Sequence, residues 1–97
     1  MNLASKFTLI KEMKEDIRKY FFCLKKEVEK NGSIPDKKRR EATCYVKEIL
    51  EKANKEFFAV TLQIDAIIKR DRVAKQLVRN ISSIQNYRQK IDELCNV

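Results

Sequence analysis

The sequence predicts an all-α protein, an elongated antiparallel bundle of three helices that run up, down and up. Three observations favour this fold class. The 97 residues include one Gly and one Pro, which are too few turn residues for a β-sheet protein. Charged residues (37%) and hydrophobic residues (43%) are balanced as amphipathic helices require. The apolar residues recur in steps of three and four, so they share one face of each helix. We expect residues 1–97 to form one small domain.

The first helix is predicted over about residues 3–30. Cations favour the C-terminal end of a helix dipole, and lysines cluster in its last turns. Asn31-Gly32 supplies the left-handed residue that ends the helix. Near its middle, Lys14 falls on the apolar stripe and Met13 lies beside it. The stripe consists of Leu3, Phe7, Ile10, Ile17, Phe21, Leu24 and Val28.

The second helix is predicted over about residues 34–68. Ser33 is the expected N-cap, and Asp36, three residues later, completes a capping box. The end is the least determined boundary, because an unbroken helix from Ser33 to Cys95 would be about 90 Å long and could not bury its apolar face unless the chain dimerises. We expect a turn within the polar residues 69–72, where Asp71 can cap a new helix. The stripe consists of Ala42, Val46, Ile49, Ala53, Phe57, Val60, Ile64 and Ile67.

The third helix is predicted over about residues 72–95, and the bundle should be roughly 40 to 50 Å long. Its stripe consists of Val73, Leu77, Ile81, Ile84, Ile91 and Leu94, with Val78 and Tyr87 at the edges.

Several function classes are disfavoured by composition. The chain has no His and only one Gly, so the commonest general base is missing and a glycine-rich phosphate loop is excluded. The acidic pairs Glu15-Asp16 and Asp92-Glu93 occupy consecutive helical positions and point away from each other. We therefore expect a protein that is not an enzyme and that has no cofactor.

The three cysteines are odd in number and include no CxxC pair, so neither a disulfide framework nor a metal site is expected. Buried or half-buried thiols are the favoured interpretation for Cys23, Cys44 and Cys95. No apolar run is long enough for a membrane span or a signal peptide. We expect a soluble cytoplasmic protein without a membrane partner.

The net charge of +8 is unevenly distributed along the chain. Residues 69–97 carry seven basic and three acidic groups, the largest excess in the sequence. Arg72, Lys75, Gln76 and Arg79 recur at helical spacing beside the core stripe, which indicates a surface for an acidic partner. A protein surface rich in Asp and Glu fits as well as nucleic acid does, and the alternative is ordinary solvent-facing polarity.

Two further motifs have functional and structural interpretations. The basic run Lys37, Lys38, Arg39 and Arg40 is either a nuclear localisation signal, a phosphate-contacting patch or the solvated start of a helix. In the pairs Phe21-Phe22 and Phe57-Phe58 one ring falls on the buried stripe, so core packing is favoured. Phe22 and Phe58 remain candidates for an apolar edge that contacts a partner.

The stretch IPDKKRREATCYVKEILEKANKEFFAVTLQID, residues 34–65, resembles the second helix of a BAG domain of the long-helix type. The matching features are the Ile-Pro opening, Ala42-x-Cys44, Phe57 and the closing Ile64-Asp65. The end of the third predicted helix, IQNYRQKIDELC, is also similar. The resemblance implies a three-helix module that binds the ATPase domain of Hsp70 and promotes nucleotide exchange.

In that family the contacts to Hsp70 come from acidic residues on helix two and from an Arg-Lys pair and a Gln on helix three. The resemblance thereby implies Asp65 as one acidic contact. Lys55 stands at the other acidic position, and Glu56, next to it, is the candidate for that contact. Aligning AKQLV with the basic pair assigns Lys75 and puts Ala74 at the Arg position, whereas aligning the Gln assigns Gln85. Arg72 and Arg79 are further candidate contacts, because they lie on the same basic face of the third predicted helix as Lys75.

Three hypotheses about function follow. The first is a protein-interaction module with BAG-like cochaperone activity. The second is a helical scaffold or assembly subunit that pairs with other helices. The sequence leaves open whether the protein is a monomer or a dimer. The third is a nucleic-acid-binding module that uses Lys37 to Arg40 and the third helix.

Overall fold

A computed structural model describes residues 3–59 and 72–96. These residues form three α-helices: α1 (Leu3–Asn31), α2 (Asp36–Phe58) and α3 (Arg72–Cys95). The molecule measures 47 × 19 × 18 Å, within the predicted range of length. The all-α fold class and the elongated three-helix bundle are confirmed.

The core lies between α1 and α3, which make the most extensive contact in the bundle. Both helices contribute large branched side chains, whereas the buried positions of α2 are Ala42, Val46 and Ala53. Small side chains give α2 less apolar area to bury, so it covers a core that α1 and α3 largely fill. The largest fully buried side chains are Ile10, Ile17, Ile34, Leu77, Ile84 and Ile91.

The predicted end of α1 is confirmed. Gly32 follows the helix with a φ of 78°, and its N–H donates to the carbonyl oxygen of Val28 over 2.8 Å. Only glycine adopts this left-handed conformation readily, so the chain reverses here. Near the middle of α1, where Lys14 falls on the predicted apolar stripe, Met13 is buried and Lys14 is half-buried.

The predicted N-cap of α2 was wrong. Pro35, not Ser33, precedes the helix, and no side chain caps it. The reason lies in Ile34, which is 2% exposed and anchors the connection in the core. A residue before proline avoids the helical conformation, so the helix begins beyond Pro35. The Pro35 carbonyl then accepts the first helical hydrogen bond, from the N–H of Arg39 over 3.0 Å.

The second helix ends at Phe58, not at residue 68 as predicted. The N–H of Ala59 donates to the carbonyl oxygen of Lys55 over 3.1 Å and closes the last turn. The predicted continuation from 60 to 68, with Val60, Ile64 and Ile67, lies outside the described residues, as does the predicted turn at 69–71.

The bounds of α3 agree with the prediction, but its buried stripe is displaced by one position at each end. Ala74 is buried whereas Val73 is 37% exposed, and Cys95 is buried whereas Leu94 is half-buried. Apart from buried Asn80, the stripe follows the spacing 74, 77, 81, 84, 91 and 95, which is a seven-residue repeat interrupted at exposed Arg88. The sequence pattern favoured the larger residues Val73 and Leu94. The packing instead buries Ala74 and Cys95, because these positions lie in line with the other buried residues of α3.

The prediction for the cysteines was right for one of three. Cys95 is buried, and this burial raises the pKa of its thiol. Cys23 and Cys44 are exposed, and Cys23 lines a surface groove between α1 and α2.

Replacing Gly32 tests the importance of the α1–α2 turn. A Cβ at this position would meet no atom within 4 Å, so the cost of Gly32→Ala comes from its positive φ. We expect Gly32→Ala to lower the free energy of unfolding by about 1 kcal/mol in urea titrations. Gly32→Asn should lose less, because Asn tolerates this conformation better. Equal stability of the Ala variant and the parent protein would contradict this assignment.

Candidate protein-binding site

The predicted basic stripe of α3 forms a groove lined by Arg72, Lys75, Gln76 and Arg79, which we call the basic groove. Its volume is about 340 Å³. The three cations are exposed, and none forms an ion pair with another residue in the described ranges. A partner's carboxylates can therefore pair with them without displacing an acidic residue of the described ranges.

The buried seam of α3 determines where these cations point. Ala74, Leu77 and Ile81 face the core, so residues about half a helical turn away face solvent. The first turn of α3 carries no acidic residue that would neutralise Arg72 or Lys75. The alternation of small or branched apolar residues with cations in residues 72–81 thus generates a positive surface that no acidic residue of the described ranges pairs with.

The described residues do not bring the family-implied contact set together. Gln85 is exposed but does not line the basic groove, because six residues beyond Arg79 place it about 120° around the helix. Glu56 is half-buried and forms an ion pair with Lys6 of α1. The hydrogen bond from Lys6 lowers the pKa of the Glu56 carboxyl. Asp65 lies outside the described residues.

The basic run at the start of α2 is divided by the fold. Lys38 Nζ lies 2.5 Å from Glu27 Oε1 of α1, and this hydrogen bond lowers the pKa of the Glu27 carboxyl. Arg39 is half-buried, and its Nε donates to the carbonyl oxygen of Ile34 over 3.0 Å. Lys37 and Arg40 are exposed. Two of the four cations therefore stabilise the α1–α2 connection, and consecutive helical positions spread the run around the helix.

A second groove, which we call the aromatic groove, lies between α1 and α3 and has a volume of about 530 Å³. Phe21 and Phe22 contribute from α1, with ring centroids 5.4 Å apart. The Tyr87 ring of α3 lies 5.8 Å from that of Phe21, and Phe22 is 40% exposed. The sequence indicated Phe22 as an apolar edge, but the spacing along one helix did not predict a groove shared with α3. Its lining is Phe21, Phe22, Lys25, Tyr87, Lys90, Glu93 and Leu94.

Other kinds of site find little support in the described ranges. No group of three or more His, Cys, Asp or Glu residues there is arranged to bind a metal ion. None of the described helices combines the length and apolar character needed to cross a membrane.

Comparison with known proteins adds no relative. The chain matches no protein-family model, and no curated protein or solved structure is significantly similar to it. The chain is a three-helix all-α bundle, and its resemblance to BAG domains rests on the sequence features alone.

The Lys6–Glu56 pair gives a pH-dependent prediction. The folded-state pKa of Glu56 is lowered, so the pair stabilises the protein above the unfolded carboxyl pKa of about 4.3 and loses this effect as pH falls through the folded pKa. We expect Glu56→Gln to be less stable than the parent near neutral pH, with the difference shrinking towards pH 3. Urea titrations across this range measure it.

Glu48→Gln is the matched control, because Glu48 is exposed on the same helix and forms no ion pair with another described residue. The free energy of unfolding of Glu48→Gln should stay close to that of the parent protein at every pH. A Glu56→Gln difference that does not change with pH would contradict a stabilising role of the ionised pair.

Proposed function

We propose that this three-helix bundle is a protein-interaction module that binds an acidic surface of its partner through the basic groove. The observation that carries this proposal is the convergence of Arg72, Lys75 and Arg79 in one groove without internal acidic partners in the described ranges. Complementary charges accelerate encounter and select among partners. Because the cations are exposed, they supply steering and specificity more than binding free energy.

The specific partner that we propose is the ATPase domain of Hsp70. The proposed activity is the promotion of nucleotide exchange on Hsp70 in the cytoplasm. The resemblance of residues 34–65 to a BAG helix and the three-helix fold support this choice. Binding an opened form of the ATPase domain more tightly than the closed, ADP-holding form would shift the population and speed nucleotide release. The basic groove would pair with carboxylates of the partner, with Asp65 and Gln85 as further contacts that the resemblance implies.

Nucleic-acid binding is less well supported than protein binding. Lys38 and Arg39 are occupied by Glu27 and by the Ile34 carbonyl, so Lys37 to Arg40 do not form a continuous phosphate-tracking surface. A scaffold function, in which the bundle pairs with other helices, finds its support in exposed Phe22 and Phe58.

Release of a fluorescent ADP analogue from an Hsp70 ATPase domain tests the proposal. We expect this protein to accelerate release in a saturable manner. Reversing one charge in the basic groove, Arg79→Glu, should raise the half-saturating concentration about tenfold, because a favourable charge contact becomes a repulsive one.

The control is Lys52→Glu, which makes the same charge change at an exposed position of α2 outside the basic groove. It should leave the half-saturating concentration within about twofold. No acceleration at any concentration would remove Hsp70 as the partner. Tight binding to duplex DNA that weakens steeply with salt would instead favour the nucleic-acid hypothesis.

A further inference from the structure

The basic groove and the aromatic groove lie on one face of α3. Arg72, Gln76, Arg79, Ser83, Asn86 and Lys90 follow one another in steps of four and three, which keeps them on a single helical face. Arg79 ends the basic groove and Lys90 lines the aromatic groove. At 1.5 Å per residue the two positions are about 16 Å apart along the axis, so one helical segment of a partner can reach both.

The aromatic groove combines an apolar floor with a cationic rim. Lys90 Nζ lies 5.7 Å from the ring centroid of Phe21 and 5.3 Å from that of Tyr87, within the range of cation–π contacts. Lys25 adds a second cation from α1, and Glu93 is the one acidic residue in the lining. This arrangement suits a large apolar side chain that has a carboxylate beside it.

On the face of α3 that links the two grooves, the residues between Arg79 and Lys90 are uncharged. Asn86 is exposed, and the Ser83 hydroxyl donates back to the carbonyl oxygen of Arg79 over 3.0 Å. The linings of the two grooves together contain five cations and one carboxylate. A segment that runs along this face of α3 therefore meets positive charge at each end and uncharged α3 residues in between. The five cations are Lys25, Arg72, Lys75, Arg79 and Lys90.

We infer that the partner presents an acidic amphipathic helix, which inserts a large apolar anchor into the aromatic groove and pairs its carboxylates with the basic groove. This inference rests on the proposed function and specifies the partner's chemistry. Phe22 is the anchor's principal contact, because its ring is 40% exposed and lines the groove. Charge complementarity selects acidic segments, and apolar burial in the aromatic groove distinguishes among them.

Synthetic helical peptides of about 18 residues test this inference, since that length exceeds the span between the grooves. One peptide carries Glu residues at one end and a Leu pair at the other, on a single face, and a matched peptide has Ala in place of Leu. Each is made in both orders along the chain. Fluorescence anisotropy with the 97-residue chain should show the Leu peptide of one order binding about tenfold more tightly than its Ala counterpart.

Phe22→Ala should abolish the difference between the Leu and Ala peptides. The matched control is Phe58→Ala, because Phe58 is 81% exposed and lies outside the aromatic groove, and it should leave the difference intact. Arg79→Glu should lower the affinity for the Leu peptide and for the Ala peptide by a similar factor. If Phe22→Ala lost its helical circular dichroism, Lys90→Glu would test the same groove and should weaken the Leu peptide.

The outcomes separate this inference from the proposed function. Equal binding of Leu and Ala peptides, or a difference that survives in Phe22→Ala, would overturn the role of the aromatic groove while Arg79→Glu still reported on the basic groove. Peptide binding that is insensitive to Arg79→Glu would overturn the proposed function itself. Sedimentation showing a dimer that Phe22→Ala dissociates would mean that a second copy occupies the aromatic groove, which would also overturn the inference.

Discussion

The packing of α1 against α3 is the contact on which the rest of this structure depends. Ile10 and Ile17 of α1 and Leu77, Ile84 and Ile91 of α3 are almost completely excluded from solvent. Their burial fixes the rotation of α3 about its axis, and that rotation turns every cation of residues 72–79 outward. It also brings Tyr87 and Leu94 next to Phe21 and Phe22. Both grooves are thus consequences of one apolar seam.

The second helix stabilises this arrangement more than it extends the candidate surface. Its buried residues are small, and its charged ends are tied to α1 by two ion pairs, Lys38–Glu27 and Lys6–Glu56. These pairs join the start of α2 to the end of α1 and the end of α2 to the start of α1, as antiparallel helices require. Some basic and acidic residues that the sequence offers as contacts for a partner therefore form ion pairs within the fold.

The sequence predicted those parts of the fold that follow from periodicity and from strong local signals. The stripes of α1 and α3 recur in steps of three and four over most of each helix, and Gly32 marks a turn that needs a left-handed residue. The start of α2 was missed, because burial of Ile34 overrode the capping preference of Ser33. The end of α2 was missed because no Gly, Pro or Asn follows Phe58 closely, so periodicity alone extended the helix.

The candidate site was predictable only within a single helix. Spacing was enough to collect Arg72, Lys75 and Arg79, because residues three, four and seven apart share a face. The aromatic groove needs two helices at a specific rotation and height, which no local pattern encodes.

Amide chemical-shift mapping of the labelled protein with an Hsp70 ATPase domain tests the binding surface most directly. We expect shifts concentrated at residues 72–79 of α3 and smaller ones at Phe21 to Lys25. Shifts confined to the outer face of α2, or none at saturating partner, would contradict the assignment of this surface.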